Sequence, residues 1–370
     1  MNQNIYLDHN ATTPVRPGAI NATNSVFELP YNASSVHSFG REGRKAIEKA
    51  REQIATLTGA ASTQVIFNSG ATEGNNTVLQ HFATERILVS AIEHPSVLEA
   101  SANSDQIPVT QKGIVDLDAL ETLLKKEKTA LVSVMMVNNE TGIIQPIKDA
   151  AALAHKHGAL FHCDAVQATG RIPVDIAELG IDFLTLSSHK IGGPQGVGAL
   201  VLGLCGETPT LLHGGGQEKS ARAGTENVAG IAGFGAAAEI ALKELNAYQD
   251  KTGHMQKHLE DALSGMDGLV IYGQTAKRVP NTTLFSLPGA SSETLLMALD
   301  LEGVAVSNGS ACSSGRVEAS HVLKAMSASD KEASGALRIS TGWNTTQNDI
   351  DRFLEVWQKI YERMKDKVHA

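Results

Sequence analysis

Short runs of β-forming residues alternate with helix-like stretches through the first two thirds of the chain, and this order limits the possible folds most. The runs span residues 65–67, 87–90, 130–137, 160–163, 183–186 and 199–202. Apolar positions at helical spacing end at Gly59 before the first run, and the helix-like stretch 147–157 lies between the third run and the fourth. Strands buried on both faces and separated by helices predict an α/β domain with a mainly parallel sheet.

The pattern changes after about residue 245, which predicts a second, smaller domain. A polar helix is predicted through 254–263, followed by strand-like pieces at 269–272 and 282–286 and a helix at 292–301. The last helix carries an apolar stripe that includes Phe353 and Trp357. We therefore predict a large domain over 15–245 and an α+β domain over 1–14 and 246–370. By its sequence alone, the strand at 5–7 fits either part.

The charge balance and the cysteine count exclude several classes of protein. The 370 residues include 31 Lys and Arg against 40 Asp and Glu, so we expect no direct binding of nucleic acid. No apolar run approaches the roughly 20 residues of a membrane span, and no secretory signal is visible, so we expect no membrane association. Three cysteines form neither a CxxC pair nor a metal-ligand spacing. We expect no metal site, no disulfide framework and a cytoplasmic location.

A loop of small residues follows the first predicted strand. Residues 68–75 (NSGATEGN) run into a helix, so their backbone N–H groups and the Thr72 hydroxyl are suited to hold a phosphate. Such loops also serve as simple helix caps, and the loop alone does not decide between the two. It does not match the GxGxxG dinucleotide pattern, and the chain contains no Walker P-loop.

Polar side chains follow four further strands, at the edge where α/β sheets usually bind ligands. They are His94, Asn139, Asp164 with Gln167, and Lys190. Each polar residue alone is more typical of a cap or a loop hydrogen bond, and Lys190 alone is compatible with a salt bridge in a structural turn. A lysine between a buried strand and a glycine-rich turn loses hydration, however, which lowers its pKa and makes its amine a nucleophile. The combination predicts a pyridoxal-phosphate site.

Ten short motifs, in order along nearly the whole chain, match one known family. They are 6–14 (YLDHNATTP), 32–40 (NASSVHSFG), 69–75 (SGATEGN), 93–95 (EHP), 137–140 (VNNE), 162–167 (HCDAVQ), 187–190 (SSHK), 222–227 (RAGTEN), 310–312 (SAC) and 337–340 (LRIS). With them the chain resembles the cysteine desulfurases, in the class V branch of the fold-type-I pyridoxal-phosphate enzymes, and most closely their group I, the nitrogen-fixation and iron–sulfur-assembly type. The resemblance implies a large domain with a mainly parallel seven-stranded sheet.

The resemblance implies a role for each candidate residue. Lys190 would form the Schiff base with pyridoxal 5′-phosphate and later move protons, and Asp164 would pair with the ring nitrogen. His94 would stack over the ring and act in acid–base chemistry, while Asn139 and Gln167 would contact the ring or its phenolic oxygen. The implied phosphate ligands are Ala71, Thr72, Ser187, His189 and, from the second subunit of a homodimer, Thr225. Arg338, together with Asn139, would bind the substrate carboxylate.

Cys312 distinguishes the implied reaction from others in the family. It stands among small residues without apolar periodicity, which predicts an exposed loop, and the resemblance makes it the nucleophile. Sulfur would pass from L-cysteine to a persulfide on Cys312, leaving L-alanine. The acceptor would be a protein such as an iron–sulfur scaffold or a component of thio-cofactor biosynthesis. Cys163 and Cys205 fit structural positions.

Two residues depart from the family pattern, and the sequence also fits several other functions. Gly192 replaces a bulkier residue usual in this group, which predicts looser packing beside the ring, and Asn10 stands where housekeeping members carry Ser. An aminotransferase or a selenocysteine-specific lyase is the alternative enzyme, and a non-catalytic sulfur-transfer scaffold is the alternative outside enzymes. The sequence leaves the destination of the sulfur open among iron–sulfur scaffolds, tRNA, DNA and cofactor pathways.

Overall fold

The computed structural model describes residues 4–28, 30–308 and 320–368. Its strands are β1 (Ile5–Tyr6), β2 (Val65–Asn68), β3 (Ile87–Ser90), β4 (Ser104–Ile107), β5 (Leu131–Ser133), β6 (Leu160–Asp164), β7 (Phe183–Ser187), β8 (Gly198–Leu202), β9 (Val270–Ile271), β10 (Thr282–Ser286), β11 (Val304–Ala305) and β12 (Ala336–Ser340). Its helices are α1 (Pro17–Phe27), α2 (Ser38–Thr58), α3 (Ala71–His81), α4 (Pro95–Leu98), α5 (Leu117–Lys126), α6 (Ile147–Lys156), α7 (Ile176–Leu179), α8 (Val228–Lys243), α9 (Leu245–Ser264), α10 (Ser292–Leu301), α11 (His321–Ala325), α12 (Asp330–Ser334) and α13 (Gln347–Val368).

A seven-stranded sheet forms the centre of the larger part of the molecule, in the order β2-β8-β7-β6-β5-β3-β4. Strands β3 to β7 pair in parallel, whereas β8 is antiparallel to both of its neighbours. The predicted mainly parallel, seven-stranded α/β sheet is therefore confirmed. Because parallel strands end at the same edge, the loops after β3, β5, β6 and β7 meet on one side of the sheet.

Two strands of this sheet differ from the sequence prediction. The run 130–137 was expected to be one strand, but regular pairing on both sides ends at Ser133. Beyond it, the N–H groups of Val134 and Met136 still bond to the neighbouring β6, at 3.1 and 2.9 Å, whereas β3 has already ended at Ser90. The edge strand β4 was not predicted, because its sequence SDQI lacks the apolar run of a buried strand.

Helix α8 lies against both α1 and α2, and glycines permit this close approach. A Cβ atom built on Gly235 would lie 2.6 Å from the Cα of Ala50 in α2, and one on Gly233 would lie 2.2 Å from Thr23 Oγ1 in α1. Any side chain at either position would force the helices apart. The small-residue composition of α8 is thus a packing requirement.

A second hydrophobic cluster lies apart from the large sheet. It contains the antiparallel strands β9, β10 and β12 together with α9, α10 and α13. Trp357 is fully buried there, stacked on Phe353 and edge-on to Phe285. Strand β1 pairs in parallel with β11 and contributes Ile5 and Leu7 to the cluster, so the strand that fitted either part packs here. The boundaries proposed for the two domains stay a prediction.

None of the helices within the described ranges is both long and apolar enough to cross a bilayer.

Candidate functional site

A cavity of about 620 Å³ opens where the loops after the parallel strands meet strand β12. Of the predicted site residues that the structure describes, every one except Thr225 lines it. They are Ala71, Thr72, His94, Asn139, Asp164, Gln167, Ser187, His189, Lys190 and Arg338. Asp8, Asn10 and Ala11 from the segment after β1 complete one wall.

Lys190 ends a short 3-10 turn, Ser188–Lys190, that follows β7 directly. Its Nζ donates hydrogen bonds to the main-chain carbonyls of Asn10, at 2.5 Å, and Ala11, at 2.7 Å. Burial, reinforced by the positive charges of Arg171 and Arg338, lowers the pKa of Lys190 to about 7. A large fraction of the amine is therefore uncharged near neutral pH and able to attack a carbonyl carbon.

The N-terminus of α3 faces the cavity beside Lys190. Residue Gly70 precedes this 11-residue helix with a φ of 150°, and a Cβ atom on Gly198 of β8 would lie 2.7 Å from its Cα. Only glycines allow the loop to pass so close to the sheet. The first N–H groups of α3, with the hydroxyls of Thr72 and Ser187, form a donor set suited to a phosphate.

Asp164 is held rigidly at the floor of the cavity. Its Oδ1 accepts the N–H of Val166 at 3.0 Å, and its Oδ2 accepts Asn75 Nδ2 at 2.8 Å. The same Asn75 nitrogen donates to Ser96 Oγ at 2.9 Å, which links the carboxylate to the loop that carries His94. A carboxylate fixed in this way is suited to hold a protonated ring nitrogen.

His94 is half-buried next to Asp164 and caps helix α4. Its Nδ1 accepts the N–H of Ser96 at 3.1 Å, which leaves the proton of the neutral ring on Nε2. Burial lowers the pKa of His94, and the nearby Lys190 adds to this effect while Asp164 opposes it. The neutral imidazole therefore offers one N–H donor and a flat face.

Arg338 projects from β12 and is 4% exposed. Its Nη2 pairs with Asp8 Oδ1 at 2.7 Å, and its Nη1 donates to the main-chain carbonyl of Asn139 at 2.9 Å. Its Nε is buried and has no hydrogen-bond partner within the described part of the chain. A guanidinium with an unsatisfied N–H at a cavity wall is suited to bind a carboxylate.

His189 and Gln167 are tied to the segment after β1. His189 Nδ1 lies 3.0 Å from Thr12 Oγ1, and burial together with the charge of Lys190 lowers the pKa of His189 to about 4. Gln167 donates from Nε2 to the carbonyl of Asn10 at 3.0 Å. The N-terminal segment thus fixes several groups that the sequence analysis had considered only with their own strands.

Thr225 is not among the residues that line the cavity. Thr225 lines a smaller adjacent pocket of about 110 Å³, which shares Ser69 and Gly196 with the large cavity. The assignment of Thr225 to the second subunit stays a prediction. Cys312 lies outside the described residues.

Gly192 does not have the position expected of it. It is not among the residues that line the cavity, its φ is +88°, and a Cβ atom there would lie 2.6 Å from Arg16 Cγ. The structure therefore shows close packing of Gly192 against Arg16, and the expected effect beside the ring stays a prediction. The glycine permits a left-handed turn against Arg16.

The two described cysteines lie away from the cavity. Cys163 is fully buried in β6, and burial raises its pKa well above the ordinary thiol value. Cys205 is partly exposed, and burial raises its pKa as well. Within the ranges that the structure describes, no three His, Cys, Asp or Glu residues are grouped so as to hold a metal ion.

Sequence reasoning missed three residues at this site, namely Asp8, Asn75 and Arg171. Asp8 follows a strand of only two residues, too short to be read as a sheet edge. Asn75 is fully buried in α3, where a polar residue gives no periodic signal. Arg171 looks like an ordinary surface cation in its local sequence.

Comparison with known proteins agrees with this geometry. The family model for class-V aminotransferases matches residues 5–353, and the chain belongs to that family. Within it, the chain belongs with the cysteine desulfurases. It is 40% identical to the cysteine desulfurase IscS of Dictyoglomus turgidum, over 99% of this chain and 96% of the relative.

Solved structures show the same similarity. A NifS-like protein from Rickettsia africae is 40% identical, with a TM-score of 0.92, over 97% of this chain and all of the other. A structure described as SspA in complex with cysteine is 27% identical, with a TM-score of 0.78, over 90% of this chain and 98% of the other. The fold expected from the sequence motifs is confirmed by these matches.

Proposed function

We propose that the protein is a pyridoxal-phosphate-dependent cysteine desulfurase that converts L-cysteine to L-alanine and transfers the sulfur to Cys312. The observation that carries the proposal is that Lys190, a lysine whose burial lowers its pKa to about 7, lines one cavity together with Asp164, His94 and the N-terminus of α3. Relatives named cysteine desulfurase, similar over nearly the full chain, support the choice of reaction.

The residues of the cavity fit pyridoxal phosphate. The α3 N-terminus with Ala71, Thr72, Ser187 and His189 would hold the phosphate, and Thr225 of a second subunit would add to it. Asp164 would hold the ring nitrogen, with His94 over the ring and Gln167 and Asn139 near its edge. The group would rest on Lys190; once the amino group of the substrate had replaced the lysine, it would stabilise the negative charge that develops on the α-carbon, and the Lys190 amine would be free.

The protein's own groups then move the protons. With a pKa of about 7, a large fraction of Lys190 Nζ is uncharged near neutral pH, so it would be able to take a proton from the α-carbon and return one later. His94 carries a proton on Nε2 and is positioned for acid catalysis at the same cavity. Arg338, with Asn139, would orient the substrate by its carboxylate.

Cys312 supplies the thiol that accepts the sulfur. L-cysteine and the Cys312 thiol give L-alanine and a Cys312 persulfide, so that one C–S bond breaks, one S–S bond forms and atoms balance. The persulfide would pass to an acceptor protein such as an iron–sulfur scaffold or a component of a thio-cofactor pathway. We place this reaction in the cytoplasm, in a homodimer that binds neither nucleic acid nor membrane.

Two variants test the proposal. Lys190→Ala should lose the visible absorbance of the lysine-bound cofactor and all turnover, whereas its melting temperature should change little. Cys312→Ala should keep that absorbance, and added cysteine should still change it. The production of alanine, and of sulfide with a reductant, should fall to background in this variant. Cys205→Ala is the control, because this cysteine does not line the cavity, and it should keep both properties.

Retained turnover in Cys312→Ala would contradict the proposal. Attack by thiols in solution would then have to release the sulfur, and a selenocysteine-specific lyase would explain the chain better. A monomer that is fully active in sedimentation at assay concentration would contradict the homodimer.

A further inference from the structure

The Asn10 side chain has a partner for every hydrogen-bonding atom of its amide. Its Nδ2 donates to Thr282 Oγ1 at 2.9 Å and to the Asn139 carbonyl at 3.0 Å. Its Oδ1 accepts Arg171 Nη1 at 2.9 Å and Asn281 Nδ2 at 3.2 Å. A carbonyl only accepts and a guanidinium only donates, so these neighbours fix the orientation of the amide. A serine hydroxyl has one oxygen and one hydrogen, so it would not replace all four of these hydrogen bonds.

The main chain of Asn10 binds the catalytic lysine. Its carbonyl accepts hydrogen bonds from Lys190 Nζ at 2.5 Å and from Gln167 Nε2 at 3.0 Å. Its N–H donates to Ser340 Oγ at 2.9 Å, which ties the segment to β12. The position of the Lys190 amine therefore depends on how firmly Asn10 is held.

Arg171 is a buried cation beside this arrangement. It is 3% exposed, and its Nη1 contacts two amide oxygens, Asn10 Oδ1 and Gln167 Oε1. Within the described residues no carboxylate lies close enough to pair with it. Arg171 and Lys190 both line a narrow cavity of about 20 Å³ behind the lysine. The charge of Arg171 is therefore poorly neutralised, and Lys190 is close enough to be affected by it.

We propose that Asn10 and Arg171 are positioning residues for Lys190: Asn10 fixes the amine through its carbonyl and holds the guanidinium, and the positive charge of Arg171 keeps the amine uncharged. This inference rests on the proposed function, because it assumes that the uncharged amine is the working form. Asn10 suits this role because its amide binds a guanidinium and leaves its positive charge in place, whereas a carboxylate would neutralise that charge.

The other charges around Lys190 support this assignment. The groups that act on it are Arg171, Arg338, Asp8, Asp164, His94 and His189. Arg338 is paired with Asp8 at 2.7 Å, so its positive charge is largely offset. Arg171 is thus the cation beside Lys190 that no described carboxylate offsets, and after burial its charge contributes most to lowering the pKa of Lys190 to about 7.

The test measures the protonation of Lys190 directly in the full-length protein prepared without cofactor. Acetic anhydride acylates only uncharged amines, so the pH midpoint of labelling at Lys190, read by mass spectrometry, gives its protonation. Arg171→Gln removes the charge, and Asn10→Asp adds a carboxylate of equal size next to the guanidinium. Each should raise the midpoint by about one pH unit or more. Arg171→Lys keeps the charge and should stay within about half a unit of wild type.

Asn348→Asp is the matched control, because it adds the same charge on the exposed start of α13 and should leave the midpoint unchanged. In the cofactor-loaded enzyme, the pH titration of the visible absorbance should shift in Arg171→Gln and not in Asn348→Asp. Circular dichroism melts establish that each variant is folded.

Unchanged midpoints in folded Arg171→Gln and Asn10→Asp would overturn the inference. A wild-type midpoint at the ordinary lysine value of about 10.4 would also overturn the inference, and this measurement needs no variant. A wild-type protein with the low midpoint that releases no sulfur from cysteine would instead contradict the proposed function and leave the arrangement at Lys190 standing.

Discussion

Two buried arginines of this molecule have opposite surroundings. Arg51 of α2 is 3% exposed, and Glu218 binds it through both carboxylate oxygens, at 2.7 and 2.8 Å. Arg171 is equally buried but contacts only amide oxygens among the described residues. Burial lowers the pKa of Arg171, whereas at Arg51 the hydrogen bonds and charge of Glu218 outweigh burial and raise the pKa.

The difference distinguishes a charge that stabilises the fold, at Arg51, from one that affects the protonation of Lys190, at Arg171. The Arg51–Glu218 pair joins α2 to the sheet, because Arg51 also donates to the Val65 carbonyl and Glu218 accepts the Phe67 N–H. Neither residue of the pair is among those that line the large cavity, although Glu218 lines the smaller adjacent pocket. Arg171 contributes little that a neutral side chain could not, except its charge beside Lys190. Of these two arginines, the paired one connects elements of the fold, and the one without a described carboxylate partner lies beside Lys190.

The largest effect is expected for Arg51→Met. It leaves Glu218 buried without its partner, so the free energy of unfolding should fall by about 3–5 kcal/mol, while turnover per folded molecule stays unchanged. Urea denaturation and active-site titration measure the two quantities. Lys49→Met, which removes an exposed cation from the same helix, should cost less than about 0.5 kcal/mol. A comparable loss of unfolding free energy in both variants would show that the Arg51–Glu218 pair stabilises the fold no more than an exposed lysine does.

Arg338 lies between the two cases, because it has one carboxylate partner and one unsatisfied N–H. Arg338→Lys keeps the charge but loses the planar fork, so KM for cysteine should rise about tenfold or more, and kcat should change less. Steady-state kinetics with a saturating cofactor provide the measurement. An unchanged KM would mean that the substrate carboxylate binds elsewhere.

Burial also favours the uncharged form of histidines. The comparison of buried cations therefore extends to side chains that are able to lose a proton. Burial lowers the pKa of His162 to about 3, against about 6.5 when unfolded, and the pKa values of His9 and His189 to about 4. Below pH 6.5 the unfolded chain binds protons that the folded chain does not, so stability falls as the pH falls.

The variant His162→Gln should reduce the stability loss between pH 6.5 and 5.5 by about 1 kcal/mol. Denaturant unfolding at the two pH values measures this slope. His254→Gln, at an exposed position of α9, should leave the slope as in wild type. An identical slope in wild type and His162→Gln would show that His162 takes up its proton in the folded state.

The smallest effect is expected for the stability of Arg171→Met. Loss of the hydrogen bonds to Asn10 and Gln167 is offset by removal of a buried, unpaired charge, so the free energy of unfolding should stay within about 1 kcal/mol of wild type. Thermal and urea unfolding test this. A loss above about 3 kcal/mol would make Arg171 a structural residue of the same kind as Arg51.

The sequence predicted those parts of the site that follow regular strands. Asp164 ends β6, and His94 and Lys190 follow β3 and β7 within four residues; parallel strands bring such positions to one edge. The strands themselves were recognisable because both faces are buried, whereas the polar edge strand β4 was not. The predicted fold and family are confirmed, and the roles of the individual residues remain to be tested.

The rest of the site depends on contacts between distant segments. Asn10 was noted only as a departure from the family pattern, and its seven hydrogen bonds join residues from Asn139 to Ser340. Arg171 was not identified at all, because burial without a carboxylate is a property of the folded chain. No local pattern encodes either feature.

The ion pair between Asp8 and Arg338 also has a consequence for the order in which the protein is made. Its two residues are 330 positions apart in the chain, and both line the cavity that contains Lys190. A ribosome completes β8, the last strand of the large sheet, while more than a third of the chain is still to be translated. At about 5–20 residues per second the wait is on the order of ten seconds. During it Lys190 has been synthesised and Arg338 has not, so the ion pair with Asp8 forms only near the end of synthesis, and until then a nascent chain would lack the cation proposed to bind the substrate.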